Sequence, residues 1–297
     1  MNNGTDLTIV LPTFNRIKFL RKTVESILSQ SEKPSHVLIG NNASDDGTTE
    51  YLQTIRDTNI KVVNRKTNVG PWPNFDDLLN RVTTKYVTFL GDDDWLGVNF
   101  VKNRIEKINE FPKCFLIYGG YTKVNQNGDK FSIVELGEKN LDISQFAKGC
   151  LTHQIFWQSC LFKTKEIRQL WNNLPKRNIF DYCLMLEISA RENLVTRSVG
   201  NSSDLFVRFH EGSDSNKTLL NTFKITDEYL KFHSNRNLNS EDISLERFHW
   251  NLMAARKIRE NNLGSGFLHS LEALKIKPFN RSSWASLGKY YYSWFKK

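Results

Sequence analysis

Over the first hundred residues, short apolar runs alternate with stretches of helical spacing. "LTIVLP", "HVLIG", "IKVVN" and "YVTFL" are short, largely apolar runs that read as strands. Between them, "RIKFLRKTVESILSQ" sets Ile17, Leu20, Val24, Ile27 and Leu28 at helical spacing. "DDGTTEYLQTIRD" and "WPNFDDLLNRVT" predict two more helices. Strands alternating with helices predict right-handed βαβ units, hence an α/β fold with a mostly parallel sheet and flanking helices.

Farther along, "NFVKNRIEKINEF" predicts a helix and "CFLIYGGYTKV" a single strand, with "DKFSIVEL" returning beside it across "NQNG". "LDISQFAKGC", "KEIRQLWNNL" and "FDYCLMLEISARE" predict helices, and "DLFVRFH" a strand. From about Leu219 the pattern is helical to the end: "TFKITDEYLKFH", "SLERFHWNLMAARKIRENN", "GFLHSLEALKI" and "SWASLGKYYYSWFKK". The expected division is a domain over 1–217, in halves of about 1–101 and 102–217, followed by a helical region over 218–297.

A parallel sheet binds ligands at the C-terminal ends of its strands. Here those ends carry "PTFN", "NNASDDG", "NRKTNVGP" and "GDDD". One such loop is ordinary turn chemistry, but four at corresponding ends converge on one crevice. The triplet Asp92, Asp93 and Asp94 directly follows a buried strand. Adjacent carboxylates repel. A solvated loop would dilute that repulsion, and a divalent cation would remove it. Mn²⁺ or Mg²⁺ bridging a diphosphate to Asp93 and its neighbours takes the oxygen ligands such ions prefer, leaving Asp92 to accept from a ribose hydroxyl.

Composition narrows the partners. A 297-residue chain with 39% hydrophobic and 25% charged residues is globular, and 20 Phe, 9 Tyr and 7 Trp furnish a large aromatic core. Net charge is +9, and residues 213–297 hold 14 Lys and Arg against 8 Asp and Glu. That excess favours an anionic partner. Nucleic acid is excluded as the expectation: no recognised module is present, and an acidic crevice repels phosphate unless metal intervenes. Four widely spaced cysteines form neither a zinc pattern nor a disulfide framework. The opening "MNNGTDLTIVLP" lacks the charged and long apolar regions of a signal peptide, so a cytoplasmic location is expected.

"TIVLPTFNR", "NNASDDGT", "NVG…NF" and "FLGDDDWL", in this order, resemble the nucleotide-sugar-binding half of GT-A glycosyltransferases of family 2. The likeness is strong over 7–101 and looser over 118–210. It implies a nucleotide-diphosphate sugar donor, a divalent metal, and inversion at the anomeric carbon. "NVGPWPNF" is similar to enzymes that build bacterial O-antigen and capsule, which implies a saccharide or polyisoprenyl-linked glycan as acceptor.

Carried over by position, the resemblance makes Pro12, Thr13, Asn15, Asn41, Asn68 and Gly70 nucleotide-sugar contacts. Asp92 matches the ribose contact and Asp93 the metal ligand, with Asp94 a second carboxylate. Asn41 stands where an Asp is usual, which leaves the donor base open, and Gly91 replaces a residue that is often acidic. Asp181, in "NIFDYCLMLEI", matches the general base, although a carboxylate at a helix start is also a plain cap; Glu187 is the second choice. In "FVRFHEGSDSN", Arg208 is expected on the diphosphate and His210 on the metal or a phosphate oxygen. Trp157 and Gln158 fall where the acceptor pocket is shaped. An inactive nucleotide-sugar-binding relative is the alternative, motivated by Asn41 and Gly91. A sugar-phosphate nucleotidyltransferase is disfavoured because "LPTFNR" has no glycine.

From Arg281 to Lys297 the chain has four cations, no acids, and the aromatics Trp284, Tyr290, Tyr291, Tyr292, Trp294 and Phe295. That mixture suits peripheral contact with the inner face of the cell membrane. A docked terminal helix or a dimer contact would use the same residues.

Overall fold

The computed structural model describes residues 5–137, 141, 145–146, 149–150, 155–174, 180–189, 195–200, 204–210 and 263–287. The chain divides into two compact units, Met1–His210 and Glu211–Lys297. The boundary expected near Lys217 lies outside the described residues. So do most of "LDISQFAKGC", the two helices expected over 222–262, and the tail beyond Leu287.

The four apolar runs form strands β1 (Leu7–Thr13), β2 (His36–Asn41), β3 (Ile60–Asn64) and β4 (Tyr86–Phe89). All pair in parallel, in the order β4-β1-β2-β3. β1 is central, and Leu7, Ile9, Val10 and Leu11 are fully buried. The intervening helices are α1 (Ile17–Leu28), α2 (Thr48–Thr54) and α3 (Pro71–Arg81). α1 turns Leu20, Val24 and Ile27 into the core, as its spacing requires. α3 opens on Gly70, whose φ of +86° only glycine adopts freely, with Pro71 setting the first helical turn.

The sheet then departs from the simple pattern. β5 (Trp95–Leu96) and helix α4 (Phe100–Glu110) follow the acidic triplet. "CFLIYGGYTKV" is not one strand but two, β6 (Leu116–Tyr118) and β7 (Tyr121–Val124), lying in different sheets. Gly119 marks the break: a Cβ there would lie 2.6 Å from Arg104 Nη2 and 2.8 Å from Val199 Cγ2. β8 (Lys130–Val134) pairs antiparallel with β7 across the "NQNG" turn as the sequence predicts.

β9 (Leu161–Lys163), β10 (Thr196–Ser198) and β11 (Leu205–Arg208) complete the strands. Helices α5 (Thr164–Trp171) and α6 (Phe180–Ser189) belong to the same unit, and α7 (Leu263–Ile276) to the second. Among the described residues the main sheet runs β10-β6-β9-β4-β1-β2-β3, with only β9 antiparallel to its neighbours. A smaller sheet, β5-β11-β7-β8, carries the residues after the triplet and the strand ending at Arg208. This second sheet brings the far end of the unit back to the acidic loop.

Candidate nucleotide-sugar site

The loops at the C-terminal ends of β1, β2 and β3 are laced together. Asn15, with φ +53°, accepts the Asp45 N–H on its side chain (2.9 Å), and its own N–H donates to Ser44 Oγ (3.1 Å). Asp46 accepts the Ile17 N–H at 3.0 Å, capping α1 from a neighbouring loop. Asn42 donates to Asn68 Oδ1 (2.8 Å) and to the Gly70 carbonyl (3.2 Å), while accepting the Val69 N–H (2.9 Å). Asn68 Oδ1 also accepts the Gly70 N–H (2.8 Å). Pro12 and Thr13 end β1 opposite Gly40 and Asn41. Ala43 is held at φ +61°, a conformation that costs a non-glycine residue roughly 1–2 kcal/mol. Such strain gathers where surroundings over-determine a functional loop.

Asn41 is buried, and its amide donates to Thr49 Oγ1 and to Asn64 Oδ1, each at 2.9 Å. Its oxygen accepts the Ser44 N–H (3.2 Å). A carboxylate could supply neither donor, which gives a physical reason for the departure noted in the sequence.

The acidic loop is braced on every side. Thr23 of α1 donates its hydroxyl to the carbonyls of Asp92 (3.0 Å) and Asp94 (2.6 Å). Gln158 accepts the Gly91 N–H (3.1 Å) and its side chain bonds Asp94. A Cβ on Gly91 would sit 3.0 Å from both Asp93 Oδ1 and Asp94 Oδ2, so the carboxylates fold back over a position that must stay small. Asp92 accepts the Phe14 N–H (3.3 Å). Burial and then the neighbouring Asp93 raise the Asp92 carboxyl to about 7, against the pull of Thr13, Arg16 and the Phe14 N–H. Asp94 is pushed well above the carboxylate range by burial and then by Asp93.

Asp93 Oδ2 lies 2.9 Å from His210 Nε2, and the same ring nitrogen is 3.3 Å from Arg16 Nη1. Phe19 packs against the imidazole with ring centroids 4.9 Å apart. The cluster Asp92, Asp93, His210 and Arg16 therefore draws on the ends of β1, β4 and β11. Arg16, only the last letter of a motif in the sequence, is the cation at this cluster.

Several residues stand elsewhere than the sequence suggests. Asp94 is 3% exposed and accepts the Arg208 N–H at 2.8 Å, so it anchors β11. Arg208 is buried, donating to the carbonyls of Asp93 (3.0 Å) and Gln126 (2.6 Å), and its guanidinium lies over Phe19 and Trp95. Those partners hold it as a brace behind the loop. Trp157 is 5% exposed within an aromatic layer, 4.9 Å from Phe89 and 5.4 Å from Phe75. Its ring belongs to the core, and its neighbour Gln158 bonds the acidic loop. Asp181 is half-buried in the first turn of α6, a helix that touches the short turn Trp157–Ser159. Glu187 is buried on the same helix.

The donor set fits a divalent cation. Asp93 supplies oxygen and His210 nitrogen, the ligand atoms such an ion takes. Among the described residues no group of three His, Cys, Asp or Glu is set to hold a metal by itself, so substrate oxygens and water would complete the shell.

The model of the glycosyl transferase family 2 domain matches residues 8–171, more than half of the chain and all four loops. The chain belongs to glycosyl transferase family 2. Its domain is a glycosyltransferase of the GT-A type. The chain is 27% identical over 211 residues to a putative teichuronic acid biosynthesis glycosyltransferase, TuaG, of Bacillus subtilis, covering 66% of this chain and 82% of that one. It is 27% identical over 194 residues to a GalNAc(5)-diNAcBac-PP-undecaprenol β-1,3-glucosyltransferase of Campylobacter jejuni, covering 59% and 61%. Glycosyltransferase GlyA of Streptococcus pneumoniae is 25% identical, with 59% of this chain matching a quarter of that protein. In fold, the family 2 chain is similar to Staphylococcus aureus TarS in complex with UDP-GlcNAc (TM-score 0.66, 16% identity, 96% of this chain and 80% of that one). It is also similar to a Pyrobaculum calidifontis mannosyltransferase in complex with GDP-Man and Mn²⁺ (TM-score 0.58, 12% identity, 96% and 84%).

Proposed function

We propose that the protein transfers a sugar, with inversion, from a nucleoside-diphosphate sugar to a saccharide or polyisoprenyl-linked glycan in bacterial surface polysaccharide synthesis. The observation that carries this reading is the Asp93–His210 pair at 2.9 Å, with Arg16 from the loop after β1 beside it. The named activities of the Bacillus and Campylobacter relatives support the substrate class.

In this reading Pro12, Thr13, Asn15, Asn68 and Gly70 shape the nucleoside pocket. Asp92 accepts from the ribose, and Asp93 with His210 would hold Mn²⁺ or Mg²⁺. Such a cation, when bound, neutralises the diphosphate and helps it leave. Arg16 adds a guanidinium beside the same phosphates. Asp181 takes the acceptor hydroxyl's proton as the hydroxyl attacks the anomeric carbon from the face opposite the diphosphate. A lipid-linked acceptor would place the reaction at the cytoplasmic face of the membrane. No helix among the described residues is long and apolar enough to cross one.

The second reading, a sugar-nucleotide-binding relative without transfer, rests on the commitment of Asn41 to structural bonds. Incubating the protein with labelled nucleotide sugars, Mn²⁺ and polyisoprenyl-linked saccharides separates the two. Metal-dependent formation of a labelled glycolipid is expected. Binding of a donor with neither transfer nor hydrolysis would favour the second reading.

A further inference from the structure

We propose that the turn following α7 is a membrane-contact surface that takes an anionic lipid face. Phe279, on this turn, is 98% exposed, and Trp284, in the helical segment 281–287 that follows, is 56% exposed. A single exposed aromatic is ordinary. Here the two are pinned together: Trp284 Nε1 donates to the Pro278 carbonyl at 2.7 Å, which fixes the indole beside the turn that presents Phe279.

The turn is ordered from within. The Lys277 N–H reaches the Ala273 carbonyl at 3.0 Å, the Asn280 N–H reaches the Lys277 carbonyl at 3.2 Å, and Asn280 Oδ1 accepts the Ser282 N–H at 2.8 Å. Beneath it, Ser270 and Ser286 share a buried hydroxyl contact at 3.0 Å. Small buried residues, Ser270, Ala273, Ser283 and Ser286, let the two helical segments close under the aromatics. Exposing two large apolar rings on such a firm support costs no ordering when they enter another phase.

Charge specifies that phase. From Glu272 to Leu287 there are three cations, Lys275, Lys277 and Arg281, and one acid, a net charge of +2. Glu272 is already paired with Lys275 at 2.6 Å. Aromatic tips within a basic rim match a phosphate-bearing interface: the rings enter the headgroup boundary while the cations stay at the phosphates. The lipid-linked acceptor proposed above gives this surface a purpose, but the surface stands on its own residues and needs no donor to be tested.

Co-sedimentation of the full chain with vesicles tests it, comparing phosphatidylcholine alone with mixtures containing phosphatidylglycerol, at low and high salt. Binding is expected only with the anionic lipid, and weaker at high salt. Phe279→Ser should cut partitioning by about tenfold, and Lys275→Glu with Arg281→Glu should abolish it, with thermal unfolding unchanged. Equal binding to neutral vesicles, no binding at all, or full binding by Phe279→Ser would overturn the proposal. A concentration-dependent dimer that Phe279→Ser dissolves, without vesicle binding, would also overturn it and give the surface to a second copy. Nucleotide-sugar hydrolysis by the same variants reports separately on the transferase reading.

Discussion

Asp93 and His210 are 117 residues apart in sequence, yet Oδ2 and Nε2 meet at 2.9 Å. The contact exists because β11 joins the small sheet beside β5, and because Asp94 pins the Arg208 N–H two residues before the imidazole. If both groups serve one cation, their losses should not add. We expect Asp93→Asn and His210→Ala each to weaken metal-dependent nucleotide binding strongly, and the double variant to be little worse than the weaker single one. Calorimetric titration of nucleoside diphosphate with Mn²⁺ reads the cycle.

The Asp92 carboxyl gives the fold a pH dependence of definite sign. Its pKa is about 7 when folded against an ordinary 3.8, so the folded chain holds this proton more tightly than the unfolded one. Its contribution to stability is therefore complete below about pH 4, falls as pH rises, and is lost above about pH 7. Thermal unfolding without metal should show wild type losing stability across that window relative to Asp92→Asn. Adding Mn²⁺ above pH 7 should restore part of it, and protons should weaken metal binding below pH 7.

Gly91→Ala is expected to separate site from fold. Its Cβ would press on Asp93 Oδ1, Asp94 Oδ2 and Gln158 Nε2 at 3.0–3.1 Å, all side-chain atoms able to shift by tenths of an ångström. Stability should fall by about 1 kcal/mol, while nucleotide affinity in the presence of metal should drop roughly tenfold or more because the ligand carboxylate is displaced. Denaturant unfolding and nucleotide titration check the two halves of this expectation.

Arg104 is fully buried and pairs with Asp204 at 2.8 Å, while also donating to the carbonyls of Ser159 (2.9 Å) and Phe100 (3.1 Å). It joins α4 to the turn bearing Gln158 and to the start of β11. Removing one member strands a buried charge, so Arg104→Ala should cost about 3–5 kcal/mol in denaturant unfolding. Loss of both partners, as Arg104→Met with Asp204→Leu, should cost less than Arg104→Ala alone.

Asp181→Asn addresses the proposed base. Transfer should fall by roughly 10²–10⁴-fold, while donor affinity with metal stays at the wild-type value. A plain helix cap would instead show its effect in unfolding, with transfer nearly intact.

The first ninety residues were legible because the strands are short, largely apolar runs and helices α1 and α3 each have a clear buried stripe. The meeting of the loops was legible for the same reason: parallel strands put "PTFN", "NNASDDG" and "GDDD" at one end. β5, β9 and β10 were not, since strands of two or three residues carry no periodicity. The division of labour within the site was also hidden. Asp93 and Asp94 are chemically identical in sequence, and only the Arg208 N–H and Gln158 make Asp94 an anchor. Arg208 stands behind the loop because Phe19, Trp95 and the Gln126 carbonyl hold it there, and nothing in the motif marks Arg16 as the guanidinium beside His210. No local signal encodes those partners, which come from elements 80 to 190 residues away from the motif they support.

The central claim is a metal-dependent nucleotide site built on Asp93. Its most direct measurement is a thermal-shift panel of UDP, CDP, dTDP and GDP, each with Mn²⁺, Mg²⁺ or EDTA, on wild type and Asp93→Ala. A ligand at a hundred times its Kd adds about 2.7 kcal/mol, a shift of several degrees. We expect one nucleotide to stabilise wild type only with a divalent ion, and Asp93→Ala to keep its fold but lose the shift. A shift that survives EDTA, or an Asp93→Ala protein that responds like wild type, would contradict the account.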